Sequence, residues 1–564
     1  MGTYLNPGEQ SFRMAINSEI FVDKTELIQY LNSVINTQQR FVSVSRPRRF
    51  GKTMAADMIC AYYDRKADSR ELFQRRKLAD CAPVQTSGKD IHWDEYLGKF
   101  DVIRLVMTKY FRKKDSVSNA LQKMQKLVIR DLKMAYPDID YFNDEDLIQS
   151  IDDVYDNIGR QVVLVIDEWD AVFRERQYDK DGQTEYLDFL RDLMKDNKHI
   201  ALAYITGILP IKKYGKHSAL NMFDEYSMVQ PMRLAEYTGF TESEVKALCK
   251  KYVMDFRDVS SWYDGYKVTD YIPINKRKAF RLGNYFAHRI CVYSPLSVVK
   301  AMQNGIVDNY WNKTENYEAL ADFIRMDFDG LKQTVALLMD GGRVKVSLKT
   351  YQNDMTTFHS KDDILALLIH LGYLGFEGEE KEGRINFEYG EVFIPNREIL
   401  EEFRTSTETD EWTGTFEQFN VSQELLTATW NKDADRVAEL LEKAHNQASN
   451  KTYHDEAALS YGVQLAYYAA RKYYTTILEL DSGKGYIDIA YLPAPKYPNI
   501  PALIIELKYN KTADTALEQI KRQQYPDRLE HYKGNILLVA IDYDRNTSND
   551  KPEFKHHECK IEEM

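Results

Sequence analysis

The first 235 positions carry four short apolar runs rich in β-branched residues: "FVSVS" (41–45), "FDVIRLVM" (100–107), "QVVLVID" (161–167) and "IALAYITG" (200–207). Runs this short, apolar at nearly every position, read as strands buried on both faces. Amphipathic helical stretches separate them, and that alternation predicts a parallel sheet covered by helices. From about Leu234 to Lys345 the spacing turns helical, with one aromatic, turn-rich break at "SWYDGYKV" (261–268). Residues 355–405 predict helices followed by a small hairpin, "EGEEKEGRINFEYGEVFI", in a winged-helix-like arrangement.

The polar stretch "RTSTETDEWTGT" (404–415) reads as a linker. Beyond it lies a helical region in which Ala458, Tyr461, Leu465 and Tyr468 share a face at helical spacing. A strand "YIDIAYL" (486–492), a strand over 502–508, a helix from about Ala513 and a last strand "NILLVAID" (535–542) follow. The charged tail after them is expected to fray.

Composition narrows the function classes. At 564 residues the chain divides into roughly three or four domains, with boundaries expected at 1–235, 236–345, 346–410 and 416–564. Hydrophobic residues at 44% and charged residues at 29% describe a soluble globular protein. A net charge of −12 gives no global electrostatic footprint for nucleic acid. Any such binding needs local basic patches or charge brought by bound metal. The basic clusters "KYFRKK" (109–114) and "NKRKAFR" (275–281) read as solvated faces. The five cysteines form no C-x-x-C pair, which suits a reducing cytosol and gives no zinc cage. "HHEC" (556–559) reads as part of a solvated tail. The start "MGTYLNPGEQSF" lacks signal-peptide character, and the longest apolar stretch is too short to span a bilayer. The expectation is a cytoplasmic protein with no membrane partner.

One candidate site follows the first strand. "FVSVSRPRRFGKTMAADMI" sets Gly51, Lys52 and Thr53 between a strand and a helix, where unpaired N–H groups and the helix dipole favour phosphate. Lys52 would reach the β- and γ-phosphates of ATP, and the Thr53 hydroxyl would ligate Mg²⁺. The consensus glycine five residues before Gly51 is here Arg46, so the motif alone is weak. The strand "VVLVIDEWD" strengthens it: Asp167 would hold Mg²⁺ and Glu168 would polarise the attacking water. Thr206, ending "IALAYITG", stands where a polar residue senses the γ-phosphate. Arg48 and Arg49 lie within the loop, and one of them would stabilise charge, in cis or toward a neighbouring subunit.

A second candidate closes "PALIIELKYN". Glu506 and Lys508, two apart in a strand, share a face at the end of a buried run. Glu244-Val245-Lys246 has the same spacing in a helical, solvent-type setting and needs no special role. What sets the 506–508 copy apart is Asp488, among apolar residues on an earlier strand, with Gln519 and Tyr525 on a following helix and Glu456 opening the upstream one. Asp488 and Glu506 would bind Mg²⁺ or Mn²⁺ through hard oxygens, and Lys508 would orient a water or neutralise developing charge. A buried Glu–Lys pair kept only for stability would be a poor bargain, because desolvation can exceed the Coulombic gain.

In sequence the chain resembles bacterial AAA-ATPase-like proteins that carry a carboxy-terminal PD-(D/E)XK nuclease domain. "FVDKTELI", "SRPRRFGKT", "VVLVIDEWD", "YITGILPIKK", "SALNMF", "WYDGY" and "VYSPLSVV" match the ATPase half, and "EVFIPNREI" matches the connecting region. "YYTTILELDSGKGYIDIAYLP" and "ALIIELKYNKTADTALEQIKRQQY" match the nuclease half. In this family an Arg-for-Gly loop is normal. The resemblance implies nucleotide binding by Gly51, Lys52, Thr53, Asp167 and Glu168. It implies a nuclease set of Asp488, Glu506 and Lys508, supported by Glu456 and Gln519.

The expected fold is α/β: a P-loop NTPase parallel-sheet domain, a helical and winged-helix-like middle, and a C-terminal restriction-endonuclease-like domain. The expected activity is ATP-controlled, metal-dependent cleavage of DNA, in phage defence or mobile-element biology; ATPases of this type often assemble into homo-oligomers, and the sequence leaves the oligomeric state open. The rival reading is a nucleotide-dependent sensor whose nuclease-like domain holds nucleic acid or a partner without cutting.

Overall fold

The computed structural model describes residues 2–86, 88–111, 115–211, 220–273, 285–311, 318–326, 330–353, 355–381, 384–408, 410–448, 456–481, 486–494, 497–522, 529, 532, 534–545 and 556–564. Of the sequence readings above, Arg112 to Lys114, the cluster 275–281 and Tyr525 fall outside these residues. The chain divides into two compact units, one of Met1–Tyr317 with Lys345–Glu402 and one of Glu318–Val344 with Phe403–Met564.

In the first unit the strands are β1 (Phe41–Ser45), β2 (Val84–Thr86), β3 (Lys89–Ile91), β4 (Asp101–Val106), β5 (Val162–Asp167), β6 (Ile200–Gly207) and β7 (Asp224–Tyr226). A further group is β8 (Phe240–Thr241), β9 (Tyr266–Pro273), β10 (Tyr285–Tyr293), β11 (Val344–Ser347), β12 (Gly375–Lys381) and β13 (Arg384–Phe393). The main sheet runs β4-β5-β6-β1-β7 with every pairing parallel. Strands β1, β5 and β6 are buried at every residue, as their unbroken apolar runs require. Register sets Val44 beside Thr206, Thr206 beside Asp167 and Asp167 beside Val106. The carboxyl ends of four strands therefore finish level, the place where open α/β sheets bind ligands.

The middle of the chain is helical, with Glu242–Tyr252, Phe256–Tyr263 and Pro295–Asn304 packed around Val245, Val259, Tyr263 and Val298. It also holds a three-stranded sheet, β8-β10-β9, which helical spacing alone did not predict. The turn "WYDGY" leads into it and is closely packed: Tyr263 donates to the Asp308 carbonyl (2.8 Å), and Tyr266 to that of Gly372 (2.6 Å). Glu244 caps its helix against Thr241 and pairs with Lys24 (2.6 Å), so its E-x-K spacing is structural. The helix Lys361–Leu371 precedes the hairpin β12–β13, the predicted order.

The second unit is built on β14 (Tyr474–Asp481), β15 (Tyr486–Pro493), β16 (Ala502–Tyr509), β17 (Ile536–Tyr543) and β18 (His557–Glu563), in that order across one sheet. Only β16 and β17 are parallel, joined through the helix Ala513–Arg522, so the sheet is mixed. One face packs on Leu425, Val437, Leu441, Leu459 and Val463, the other on Ala513, Ala516 and Ile520.

Three sequence readings are corrected. The supposed linker is helical, ending Arg397–Thr407 and opening Asp410–Trp430. Trp412 is buried there, and the Thr407 hydroxyl donates back to the Phe403 carbonyl, so polar composition concealed a packed segment. The end of the tail, within residues 556–564, is ordered into β18, with His557 and Cys559 buried and His557 bonded to Glu442 (2.7 Å). On the helix Glu456–Ala466 the inward residues include Leu459, Val463 and Ala466, whereas Leu465 is 42% exposed.

Gly265 has φ +114°, and a Cβ there would sit 1.9 Å from the Pro395 carbonyl oxygen. Gly265→Ala combines a left-handed backbone with a clash and should cost the first unit about 2–5 kcal/mol. The midpoint of its thermal unfolding reads this, and an unchanged midpoint would mean that Pro395 does not sit there.

Candidate functional sites

The loop after β1 is shaped by two left-handed residues, Arg49 (φ +68°) and Gly51 (φ +84°), the second standing directly before the helix Lys52–Tyr63. Lys52 is buried and donates to the carbonyls of Arg46 (3.0 Å) and Pro47 (2.7 Å). Burial pushes its pKa down to about 8, against the pull of Asp170 and Asp167. Asp167, ending β5, is buried as well; its pKa is raised by desolvation and held back by Thr53 and Lys52. Among the described residues, Asp167 Oδ1 and the Thr206 hydroxyl are buried without a hydrogen-bond partner. Buried polar atoms rarely stay unpaired unless a ligand or water completes them. Their position beside Lys52 fits a phosphate and its hydrated cation.

Arg46 explains the missing consensus glycine. Its guanidinium is buried and donates to the carbonyls of Ser45 (2.8 Å) and Tyr226 (2.8 Å), with desolvation pushing its pKa to about 10. It fastens the loop to the edge strand β7. Glu168 has a left-handed backbone (φ +55°), and its carboxylate meets Arg174 at 3.3 Å. Arg174 also reaches Asp170 (3.3 Å), which accepts the N–H groups of Ile208 (3.1 Å) and Leu209 (3.0 Å). Gly207 leaves room for this, since a Cβ there would lie 2.7 Å from Asp170 and the Trp169 ring.

A cavity of about 640 Å³ opens over the loop. Arg48, Arg49, Gly51, Lys52, Thr53 and Glu168 belong to its loop side, and the other lining residues are mostly apolar, among them Phe12, Phe21, Tyr237, Phe240 and Leu296, with Ser18, Lys24 and Gln303 between them. Polar groups at one end and a mostly apolar remainder suit a phosphate joined to a planar base. Sequence reasoning found the polar end, because those residues are contiguous. It missed Arg174, although that residue follows Asp170 at helical i,i+4 spacing, and it missed the apolar lining, which only tertiary folding gathers.

In the second unit, β15 and β16 pair with Ile489 opposite Ile505, which brings Asp488 and Glu506 next along adjacent strands. Glu506 and Lys508 are both buried and bonded at 3.0 Å. Asp488 accepts the backbone N–H of Leu507 at 2.7 Å. Lys508 lies beside Asp542, whose carboxyl is raised by burial and accepts the Lys511 N–H (3.0 Å). Gln519, on the helix over this face, is half-buried and makes no hydrogen bond to the three among the described residues. Glu456 is the first residue of its helix, but its side chain lies outside the described set. Two carboxylates on adjacent strands beside an ammonium suit a hard cation. Among the described residues, no group of three or more His, Cys, Asp or Glu gathers for a metal.

A parallel sheet with a phosphate-type loop and a mixed sheet with an acidic pair and lysine thus stand on one chain. Residues 7–216 match the family described as "Predicted AAA-ATPase", and residues 460–553 match the PD-(D/E)XK nuclease superfamily. The chain therefore carries an AAA-ATPase-like domain and a PD-(D/E)XK nuclease-superfamily domain. No curated protein matches it. Among solved structures, it is similar to the Walker-type ATPase PABY2304 of Pyrococcus abyssi (12% identity, 68% of this chain and 94% of that one, TM-score 0.31). It is also similar to the Orc1 protein of Aeropyrum pernix, solved with DNA (12% identity, 74% and 100%, TM-score 0.26). Among the described residues, no helix is long and apolar enough to cross a membrane.

Two measurements follow. Lys508→Met leaves Glu506 buried without its cation and should cost about 3–5 kcal/mol in chelator, whereas Glu506→Gln with Lys508→Met together should cost much less. Urea unfolding of both decides it, and equal losses would argue against the pair. A phosphate favours charged Lys52, whose resting pKa is about 8. ATP binding at pH 8.5 should therefore take up protons, seen by calorimetry in buffers of different ionisation enthalpy; uptake that persists in Lys52→Met would assign it elsewhere.

Proposed function

We propose that the chain binds and hydrolyses ATP in its first unit, and that nucleotide state controls a metal-dependent phosphodiesterase acting on DNA in its second. The observation that carries the second half is the buried Glu506–Lys508 pair beside Asp488. In the ATPase site Gly51 and Lys52 bind phosphate, Thr53 and Asp167 hold Mg²⁺, and Thr206 contacts the γ-phosphate. Glu168 polarises the attacking water once it leaves Arg174.

In the nuclease site Asp488 and Glu506, with Glu456, hold Mg²⁺ or Mn²⁺. Bound there, the ion lowers the pKa of a water and neutralises charge on the phosphate. Lys508 orients that water, and Gln519 supports the backbone approach of the strand being cut. The domain division at 1–235, 236–345, 346–410 and 416–564, a cytoplasmic homo-oligomer and a role in phage defence or mobile-element biology belong to the same reading.

Supercoiled and linear DNA incubated with the protein in Mg²⁺ or Mn²⁺, with and without ATP, test it. Cleavage should respond to ATP, fall at least about a hundredfold in Lys508→Ala, and lose its dependence on turnover in Glu168→Gln. Hydrolysis of ATP without cleavage in any condition would replace this reading with a nucleotide-dependent sensor that holds nucleic acid or a partner.

A further inference from the structure

Two of the loop arginines differ in how they are held. Arg48 is exposed and lines the cavity. Arg49 is tied down: its Nη1 donates to the Trp311 carbonyl (2.5 Å), and its guanidinium stands 5.3 Å from the centre of the indole ring. Trp311 is fully buried, and its indole N–H has no hydrogen-bond partner among the described residues. The ring is thus fixed by packing and by Arg49, with no polar anchor of its own.

The backbone at Trp311 is anchored from the other side. The N–H groups of Tyr310 (2.8 Å) and Trp311 (2.9 Å) both donate to Glu398 Oε1, and the Ser297 hydroxyl donates to Oε2 (2.9 Å). Ser297 belongs to the helix Pro295–Asn304, which also supplies Pro295, Leu296 and Val299 to the cavity wall. Gly372 closes the contact, since a Cβ there would lie 2.8 Å from Pro47 of the loop and 3.0 Å from the Trp311 ring. Glu398 lies in the first turn of the helix Arg397–Thr407, along which the chain passes from the first unit into the second. Trp311, Glu398 and Ser297 all lie outside the segment that matches the ATPase family.

We propose that Trp311 and Glu398 are positioning residues for Arg49, holding its guanidinium at rest until the γ-phosphate of ATP draws it away from Trp311. The proposal rests on the nucleotide reading above. A guanidinium binds phosphate through two parallel charge-assisted bonds, which outcompete a neutral carbonyl and one aromatic face. Arg49 also occupies a left-handed backbone conformation, which costs a non-glycine residue some strain. ADP, lacking the γ-phosphate, leaves Arg49 on Trp311. What moves at Trp311 reaches the helix of Glu398 through the two N–H bonds; that carboxylate also attracts Arg49 by its charge, and it never touches nucleotide.

Tryptophan emission of the full chain, titrated with ATPγS and with ADP while binding is followed separately by calorimetry, tests this. ATPγS should shift the emission and ADP should not. The shift should vanish in Trp311→Phe and, with Trp311 intact, in Arg49→Met. Glu398→Ala should change the ratio of ATPγS to ADP affinity about tenfold, and Glu398→Gln, which still accepts both N–H groups, should restore it. Calorimetric binding of ATPγS with no shift, or a shift that persists in Trp311→Phe, overturns the proposal and leaves the nucleotide site standing. Binding of neither nucleotide overturns both.

Discussion

Taking an ionised side chain out of water costs several kcal/mol unless a well-placed partner offsets it, and both main sheets of this protein end on such side chains. Lys52 meets that constraint with the carbonyls of its own loop, and Arg46 with those of Ser45 and Tyr226. Glu506 meets it with Lys508, and Asp488 with the Leu507 N–H. Much of the local architecture follows. Gly51 adopts a left-handed backbone so that Lys52 can turn back on the loop. Gly207 carries no side chain, so Asp170 can reach the N–H groups beyond it and still face Arg174. The short strand β7 supplies a carbonyl to Arg46 as well as an edge to the sheet.

The central strands of both sheets were legible because burial on two faces leaves almost no polar position, a pattern that β1, β5, β6, β16 and β17 all carry. Edge strands were harder to read. The segment "HECKIEE" has one wet face, so β18 looks like a charged tail until its pairing with β17 is seen. Polarity misled again at 404–415, where a helix needs only one buried face and Trp412 supplies part of it. At the sites, contiguous motifs exposed Lys52, Thr53, Asp167, Glu168, Glu506 and Lys508. Trp311 and Glu398 are far from their partners in sequence and have no spacing to betray them, whereas Arg174 stands four residues after Asp170, a helical spacing that was there to be read.

The same constraint bears on what the two sites can do. In the resting nucleotide site three of the working charges already have protein partners: Lys52 has loop carbonyls, Glu168 has Arg174 and Arg49 has Trp311. A nucleotide entering there exchanges partners, so its affinity is a difference between two sets of contacts. Ligands that differ by one phosphate then differ in which exchanges they complete, and a ligand shifts an equilibrium only by such a difference. In the second unit the pairing is within the motif itself. Lys508 shares the carboxylate that a hard cation would also need, so loading that site requires Lys508 to yield part of Glu506. An intact set of functional residues is therefore compatible with a site at rest, and the resting contacts define what a trigger has to break.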